Sequence, residues 1–485
     1  MLNNQTKGIF SLISSIFIQI LIGNSFTFGN FVIYYKSYLY YNNINNISLL
    51  DLLYVAPVSL ACINMFPSIT GFLDNILGIR ILTIISAISL LISQLIIYYS
   101  SKYYLLIIAY IIYGFAGSIT LLPTIRNCWK YYPSKKGLIS GILYSSCGLS
   151  SFLFTSIGDY IINPKAESEI EKDLYSKDVA MKYTKYLKFF IICIIILGSL
   201  SSIFSFPFKE EENILEESKD VEKILIKDNL NEEKNEDENA NCINEGNDNR
   251  YSIKSNKEEN DKRIILEEDE KLSLKESIFS IQFLFSFIII GCTLLFGFLL
   301  TNTYRAFGLS MELDEFGIQS LSKVFTLLNT FSRIIWGIIY DKFGFKYPYI
   351  IVCINQIICS SLIYISSKNI YTFFIVCCFG VLSFSGHIIL FPNLITKKFG
   401  IDNLVILMGI CGLIAGFTCL LGPILTSQII KNNKDYLKTY LITGSTTIVS
   451  LILTFIIQME KMKKRDLKKD ESIANNTEEI KSKNK

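Results

Sequence analysis

One arginine, Arg333, lies inside a long apolar run of the sequence, in the stretch NTFSRIIWGIIYDKFGFK that covers residues 329–346. Asp341 follows eight residues later, where the run ends. In a helix with a rise of about 1.5 Å per residue, this spacing places Arg333 about 12 Å inside the apolar run, where its side chain cannot easily reach water. The position therefore requires a physical explanation.

An arginine at that depth needs a partner, because burying an unpaired charge is costly and a guanidinium does not give up its proton. Its planar fork binds a carboxylate through two hydrogen bonds. Two interpretations follow from the residues. Arg333 either anchors the carboxylate of a substrate in a cavity, or forms a structural ion pair with another helix.

Four other polar side chains in apolar runs are candidates for substrate binding or proton transfer. Asn329 lies one helical turn before Arg333, and Asn30 and Tyr304 lie in other apolar runs. We predict these three as further substrate-binding residues, with interhelical hydrogen bonds as the alternative. His387 is the only histidine, and because imidazole titrates near neutral pH it could carry a coupling proton, or could be a packed polar residue.

Patterns typical of enzymes are missing from the sequence. We find no phosphate-binding loop, no paired catalytic carboxylates and no cluster with metal-ligand spacing, so we expect no enzyme activity, no cofactor and no metal. The net charge of +3 is small and no basic face is evident, so we expect no nucleic-acid partner.

The elements that must position these residues are long apolar segments. Hydrophobic residues make up 51% of the 485, with a mean hydropathy of +0.39, which is unusual for a soluble globular protein. A transmembrane helix needs about 20 apolar residues, and open strands cannot face lipid. We therefore predict an all-α membrane protein of twelve transmembrane helices, at roughly residues 8–35, 50–70, 80–100, 104–127, 138–162, 187–206, 279–301, 319–340, 347–366, 371–394, 404–429 and 437–458.

A charged segment divides these spans into two sets of six. It is rich in Glu, Asn, Lys and Asp and nearly free of aromatic residues, so it cannot bury enough apolar area to fold, and we predict it to be disordered. The same applies to the charged tail. The predicted units are a six-helix bundle at residues 1–208, the disordered segment at 209–278, a second bundle at 279–460 and the disordered tail at 461–485.

Positive charges in the connecting segments predict the orientation. Residues 129–137 and 461–469 are rich in Lys and Arg, which favours the cytoplasmic side for both termini and the central segment. Residues 165–188 oppose this assignment, because they carry six Lys on the predicted outer side.

Two similar turns occupy equivalent places in the two halves. GFLDNILGIR (residues 71–80) follows the second span, and GIIYDKFGFK (residues 337–346) follows the eighth. We call them the first and second repeated turns. Each has two glycines seven residues apart, then a basic residue two positions later, which indicates an internal duplication; the matching positions are Gly71, Gly78 and Arg80, and Gly337, Gly344 and Lys346.

These turns resemble the hallmark of the major facilitator superfamily, G-x-x-x-D-[RK]-x-G-x-[RK]. The second repeated turn matches it throughout, including Asp341 and Lys342. The first has Asn75 at the acidic position, with Asp74 one place early. The resemblance implies two pseudo-symmetric six-helix bundles that rock around a central site, with both repeated turns as gating elements.

Two further segments resemble the oxalate/formate antiporter and monocarboxylate transporter branch of that superfamily. They are WKYYPSKKGLISGI at residues 129–142 and FPNLITKKFGIDNLVILMGI at residues 391–410. In that branch an arginine at the place of Arg333 contacts the substrate carboxylate. Two basic residues of the branch are absent, since Ala415 and Asn30 occupy their positions, so the resemblance implies a substrate other than oxalate or lactate.

The resemblance implies a secondary active transporter of a small organic anion, preferably a monocarboxylate, coupled to protons or to exchange. We expect it to act as a monomer in a lipid bilayer, with the plasma membrane as the default and an organelle membrane as the alternative. Two other functions stay open. One is the same fold with another cargo, such as a vitamin-like acid (pantothenate, for example), an amino acid or a sugar; the other is a non-transporting membrane sensor or scaffold.

Overall fold

The computed structural model describes most of the chain outside the charged segments. The described residues are 3–42, 44, 47, 51–52, 54–100, 102–165, 167, 169–171, 174–209, 273–429 and 435–456, with only the backbone described at 421–429. The predicted disordered tail lies outside them, and so does most of the predicted disordered segment at 209–278.

The described chain is built from α-helices, which confirms the predicted all-α membrane fold. Nine helices in this part of the chain are long and apolar enough to cross a membrane. The helices are α1 (Asn4–Gly23), α2 (Phe28–Tyr41), α3 (Val55–Met65), α4 (Pro67–Tyr99), α5 (Tyr103–Tyr131), α6 (Lys136–Ile162), α7 (Lys177–Phe204), α8 (Leu274–Phe279), α9 (Ile281–Ser310), α10 (Glu315–Phe343), α11 (Lys346–Ser366), α12 (Ile370–Phe399), α13 (Leu404–Ile429) and α14 (Asp435–Ile456).

Part of the segment predicted to be disordered is helical. Residues 274–279 form α8, because Ser273 accepts a hydrogen bond from the backbone N–H of Glu276 while the Glu276 carboxylate accepts one from the backbone N–H of Ser273. This reciprocal capping box satisfies two backbone donors that have no partner within the helix. The ordered second half therefore begins earlier than the sequence suggested.

Helix α10 carries Arg333 and is the element that positions it. Asp314 starts the helix by accepting a hydrogen bond from the backbone N–H of Gly317 at 2.7 Å. Gly344 stops it by adopting φ +70° and ψ −163°, a conformation that essentially only glycine tolerates. The first repeated turn uses the same device, since Gly78 interrupts α4 with φ +74° and ψ 162°.

The first membrane-spanning stretch is not one regular helix. Residues Asn24–Thr27 form a 3-10 turn between α1 and α2. The Asn24 side-chain oxygen accepts hydrogen bonds from the Tyr186 hydroxyl at 2.6 Å and from the Thr27 hydroxyl at 2.9 Å. These bonds hold the interruption in place inside the bundle.

Two seams join the two halves. Helix α6 of the first half packs on α10, and α13 of the second half packs on α3 and the start of α4. Both seams need glycine for close backbone approach: a Cβ added at Gly337 would collide with the carbonyl oxygen of Gly137, and one at Gly409 would collide with the backbone of Ser68. The two seams are related by the internal duplication.

One apolar core cluster includes residues of both halves. Trp129 and Leu143 of the first half belong to the same cluster as Tyr349, Phe391 and Cys411 of the second, and all five are buried. We call the side of the bundle that carries residues 71–80, 129–137 and 337–346 the turn side. The halves are closed against each other on that side.

Candidate binding site

A cavity of about 420 Å³ lies between the two halves. Because the seams converge on the turn side, the cavity extends away from that side, as far as Ala56 at the start of α3 and Asn302 near the end of α9. Its lining residues are Ile22, Phe26, Gly29, Ala56, Pro57, Leu60, Ile63, Asn64, Pro67, Leu121, Leu122, Tyr144, Cys147, Ile290, Leu294, Phe298, Thr301, Asn302, Asn329, Arg333, Phe384, Ile388, Phe391, Met408, Cys411, Gly412, Ala415 and Cys419.

Arg333 lines this cavity and is held by two hydrogen bonds. Its Nη1 donates to the backbone carbonyl of Tyr144, across the seam, at 2.7 Å. Its Nη2 donates to Oδ1 of Asn329, one turn earlier in α10, at 3.1 Å. Ser385 donates to the same Oδ1 at 2.9 Å, which fixes the amide that receives the guanidinium.

The positive charge of the guanidinium is only partly compensated by its neighbours. Its Nε is buried and has no hydrogen-bond partner. Among the described residues, no acidic side chain forms an ion pair with Arg333. A buried positive charge bonded only to neutral oxygens remains costly, so an anion in the cavity would gain a strong partner here.

The structure brings together two of the four predicted substrate-binding residues. Asn329 and Arg333 both line the cavity. Asn30 is not among the lining residues, and its side-chain N–H₂ donates to the Thr155 hydroxyl at 3.0 Å. Tyr304 is also outside the lining and stacks on Phe325 with ring centroids 4.5 Å apart. Neither lies where the predicted role would place it.

Sequence reasoning missed Tyr144, which supplies the carbonyl that holds Arg333 and also lines the cavity. The glycines at positions 137, 141 and 148 could have indicated α6 as the helix that approaches α10 most closely. Sequence alone offered no signal for the Tyr144 side chain itself.

His387 lies in a buried polar network beside the cavity rather than on its surface. Its Nε2 is 3.0 Å from Oε1 of Gln356, and the Gln356 amide donates to the Thr293 carbonyl and to the Thr447 hydroxyl. Phe391 stacks on the imidazole with centroids 5.5 Å apart. This environment is that of a packed polar residue, and the proton-coupling role stays a prediction.

The second repeated turn closes one seam through Asp341. Its two carboxylate oxygens accept hydrogen bonds from the backbone N–H groups of Gly137 at 2.7 Å and Leu138 at 2.8 Å. These N–H groups belong to the first turn of α6, which has no intrahelical partners for them, and the helix dipole there favours a negative charge. Lys342 and Lys346 instead lie over the Phe343 and Tyr347 rings.

The first repeated turn closes the other seam through side-chain charges. Asp74 is buried and forms an ion pair with Arg126 at 2.7 Å. Arg126 also donates to Oδ1 of Asn75 at 2.8 Å and to the Asp402 carbonyl at 3.3 Å, while Lys130 pairs with the Asp402 carboxylate at 3.1 Å. The degenerate copy of the motif therefore still links the two halves, although Arg80 is exposed.

Comparison with known proteins places this geometry in a familiar fold. A family model described as Major Facilitator Superfamily matches residues 20–423. A search of the curated proteins finds none that matches the sequence.

Solved structures resemble the whole chain. The proton:xylose symporter XylE bound to 6-bromo-6-deoxy-D-glucose matches with a TM-score of 0.64 and 11% identity, over 94% of this chain and 96% of that chain. The E. coli fucose:proton symporter FucP matches with a TM-score of 0.60 and 11% identity, over 92% of this chain and 98% of that chain. FucP in the outward conformation gives 0.63 and 10%, with coverages of 92% and 98%. At these identities the likeness shows the fold alone.

Proposed function

Because the chain belongs to the Major Facilitator Superfamily, we propose that it carries a small monocarboxylate across a membrane by alternating access. The chain is an integral, multi-pass membrane protein of a transporter family. The observation that carries the substrate proposal is the guanidinium of Arg333, which lines the cavity and has no acidic partner among the described residues.

A single charge favours a monoanion. Arg333 is the only charged residue in the described cavity lining, so one carboxylate would neutralise it and a second would be buried without a cation. Ala415 also lines the cavity, at the position where the resembling branch carries its second base. A dianion would need its second positive partner at this position, and here the side chain is the uncharged Ala415.

Alternating access would require the turn side to open. We propose that the halves at residues 1–208 and 279–460 rock as units, and that opening breaks the bonds of Asp341 to α6 and of Asp402 to α5. The bond from Arg333 to the Tyr144 carbonyl also crosses a seam. A substrate carboxylate bound by Arg333 would compete with that carbonyl, which connects binding to the separation of α6 from α10.

We propose that transport is coupled to protons or to a counter-substrate. XylE and FucP share this fold and are proton symporters, so the proton is the first ion to test. With both termini in the cytoplasm, as the charge distribution predicts, the structure would be outward-facing, with its cytoplasmic turn side closed.

The test is uptake of labelled monocarboxylates into proteoliposomes that contain the purified full-length protein. We expect Arg333→Gln to reduce uptake by at least 30-fold, because the carboxylate loses a charged hydrogen-bond partner. Arg305→Gln is the matched control, since Arg305 is an exposed arginine at the far end of α9 and outside the cavity lining. Full uptake by a folded Arg333→Gln protein would refute the anion proposal.

A further inference from the structure

We infer that the cavity selects monocarboxylates with a bulky apolar body, aryl or branched alkyl, over short, hydroxylated or amino-bearing acids. This inference rests on the proposed function and specifies its substrate class. It follows from what surrounds Arg333 rather than from Arg333 itself.

The cavity wall offers few free hydrogen-bonding groups beyond Arg333 and its neighbours. Apart from Arg333, Asn329 and Tyr144, the polar lining residues are Asn64, Thr301 and Asn302. Each donates to a carbonyl of its own helix, at 2.7 Å, 2.7 Å and 2.9 Å respectively. Each side chain keeps some capacity for a ligand, but most of the lining is apolar, so a polyhydroxylated ligand would bury most of its hydroxyl groups against apolar side chains, which is unfavourable.

The lining also lacks a partner for an ammonium group. None of the described lining residues is acidic. An α-amino acid would bring its ammonium close to the carboxylate and so close to the positive charge of Arg333. The repulsion and the lost hydration of the ammonium would both oppose its binding.

Aromatic side chains from both halves line the cavity. Phe26 lies on the 3-10 turn of the first half and is 39% exposed although it is inside the bundle. Phe298 and Phe384 of the second half form an edge-to-face pair with centroids 5.3 Å apart. Such ring faces and edges bind another ring or a branched alkyl group by apolar burial and by quadrupole contacts.

The interruption of the first helix holds Phe26 in place. The neighbours Asn24 and Thr27 are buried and bonded to each other, and Asn24 is bonded to Tyr186. Gly23, at the end of α1, has no room for a side chain against the Cys147 backbone. The backbone that presents Phe26 to the cavity is thus held in place.

The cavity volume matches a ligand larger than a three-carbon acid. At about 420 Å³ it falls within the range of about 300–1,000 Å³ that holds typical small-molecule ligands. An acid as small as acetate would leave most of the apolar wall in contact with water. Each further methylene that displaces this water should improve affinity about fourfold.

The experiment is a thermal-shift titration of the purified full-length protein in detergent, which avoids passive permeation of apolar acids through lipid. The ligands are acetate, butanoate, hexanoate, 3-phenylpropanoate, gluconate and phenylalanine. A ligand that binds only the native state stabilises it by RT ln(1 + [L]/Kd), so the rise in Tm with concentration reports the affinity. Phenylalanine differs from 3-phenylpropanoate only by its α-ammonium group. We expect affinity to rise about fourfold per methylene, and 3-phenylpropanoate to bind at least tenfold better than gluconate or phenylalanine.

Variants identify the residues responsible. We expect Phe26→Ala to weaken 3-phenylpropanoate about tenfold and to leave acetate unchanged. Phe331→Ala is the matched control, because Phe331 is an exposed phenylalanine of α10 outside the cavity lining. Arg333→Gln should abolish the shift for every acid.

The outcomes separate the two proposals. If acids bind through Arg333 but affinity is flat or falls with chain length, or if gluconate or phenylalanine binds as well as 3-phenylpropanoate, the apolar-body inference is overturned and the monocarboxylate proposal stands. If no acid binds, or Arg333→Gln changes nothing, both are overturned.

Discussion

Replacing Asp341 by Asn tests how the second repeated turn closes the seam between α6 and α10. The carboxylate accepts two backbone hydrogen bonds, from Gly137 and Leu138. In the Asn variant the side-chain oxygen can still accept one of the two hydrogen bonds. The N–H₂ group would face the other backbone N–H, and it cannot accept a bond from it. The negative charge at the start of α6 is also lost.

The size of the effect follows from these contacts. A hydrogen bond to a charged group contributes about 1.5–3 kcal/mol, and a charge at a helix terminus adds about 0.3–1 kcal/mol. Loss of one bond and the charge should therefore favour separation of the two helices by about 2–4 kcal/mol, which is a roughly 30- to 900-fold change in the equilibrium.

Amide hydrogen exchange measures this change directly. The N–H groups of Gly137 and Leu138 lie in the first turn of α6, where the helix itself supplies no acceptor, so Asp341 is what protects them. We expect Asp341→Asn to accelerate their exchange by roughly 30- to 900-fold.

Asp314→Asn is the matched control, because Asp314 caps the other end of α10 within its own half. It should accelerate exchange only at Gly317. Unchanged exchange at Gly137 and Leu138 in Asp341→Asn would show that the carboxylate does not hold the seam.

Three further predictions concern other parts of the molecule. Gly344→Ala should destabilise the protein by about 1–3 kcal/mol, because its φ of +70° is strained for alanine, and a lower Tm in detergent would show it. Arg126→Gln should lower Tm more than the double variant with Asp74→Asn, because the single change leaves the buried Asp74 carboxylate without its ion-pair partner; equal Tm values would contradict this coupling. If His387 carries the coupling proton, His387→Gln should abolish uptake driven by a pH gradient while counter-substrate exchange continues; unchanged proton-driven uptake would assign His387 to packing alone.

The length of the apolar runs was enough to predict the helices, because a backbone in lipid must satisfy its own hydrogen bonds. The helix that begins at Pro67 nevertheless continues beyond residue 70, where a turn was expected, and the chain turns only at Gly78. Residues 71–77 belong to α4, and only Gly78 leaves the helical conformation. The runs predict that a segment crosses the membrane, but single φ angles decide where it turns.

Helix α10 shows why Arg333 could be placed from sequence. A guanidinium in an apolar run must face a partner or a cavity whatever the details of packing, so the physical constraint acts on one residue alone. The same holds for Asn329, which lies one helical turn before Arg333 and so faces the same side of α10. The carbonyl of Tyr144 could not be predicted, because it comes from the other half of the chain.

Asn30 shows the opposite case. Its facing depends on the phase of α2, and the four-residue 3-10 turn before it winds about 120° per residue instead of about 100°, which rotates all later side chains by about 80° relative to a continuous α-helix. The same interruption exposes Phe26 to the cavity. A pattern that assumes one unbroken helix therefore cannot decide which residues after Thr27 line the cavity.

The two duplicated seams close with different chemistry. Asp341 binds backbone amides at a helix terminus, whereas the link to Asp402 depends on Lys130 and Arg126. In the Lys130–Asp402 pair the aspartate is 64% exposed and the lysine 25%. Exposed ion pairs weaken as ionic strength rises, while a carboxylate on backbone amides is less sensitive. A higher salt concentration would therefore weaken the seam at Asp402 before the seam at Asp341. The two seams arose by duplication, but they would open in a fixed order.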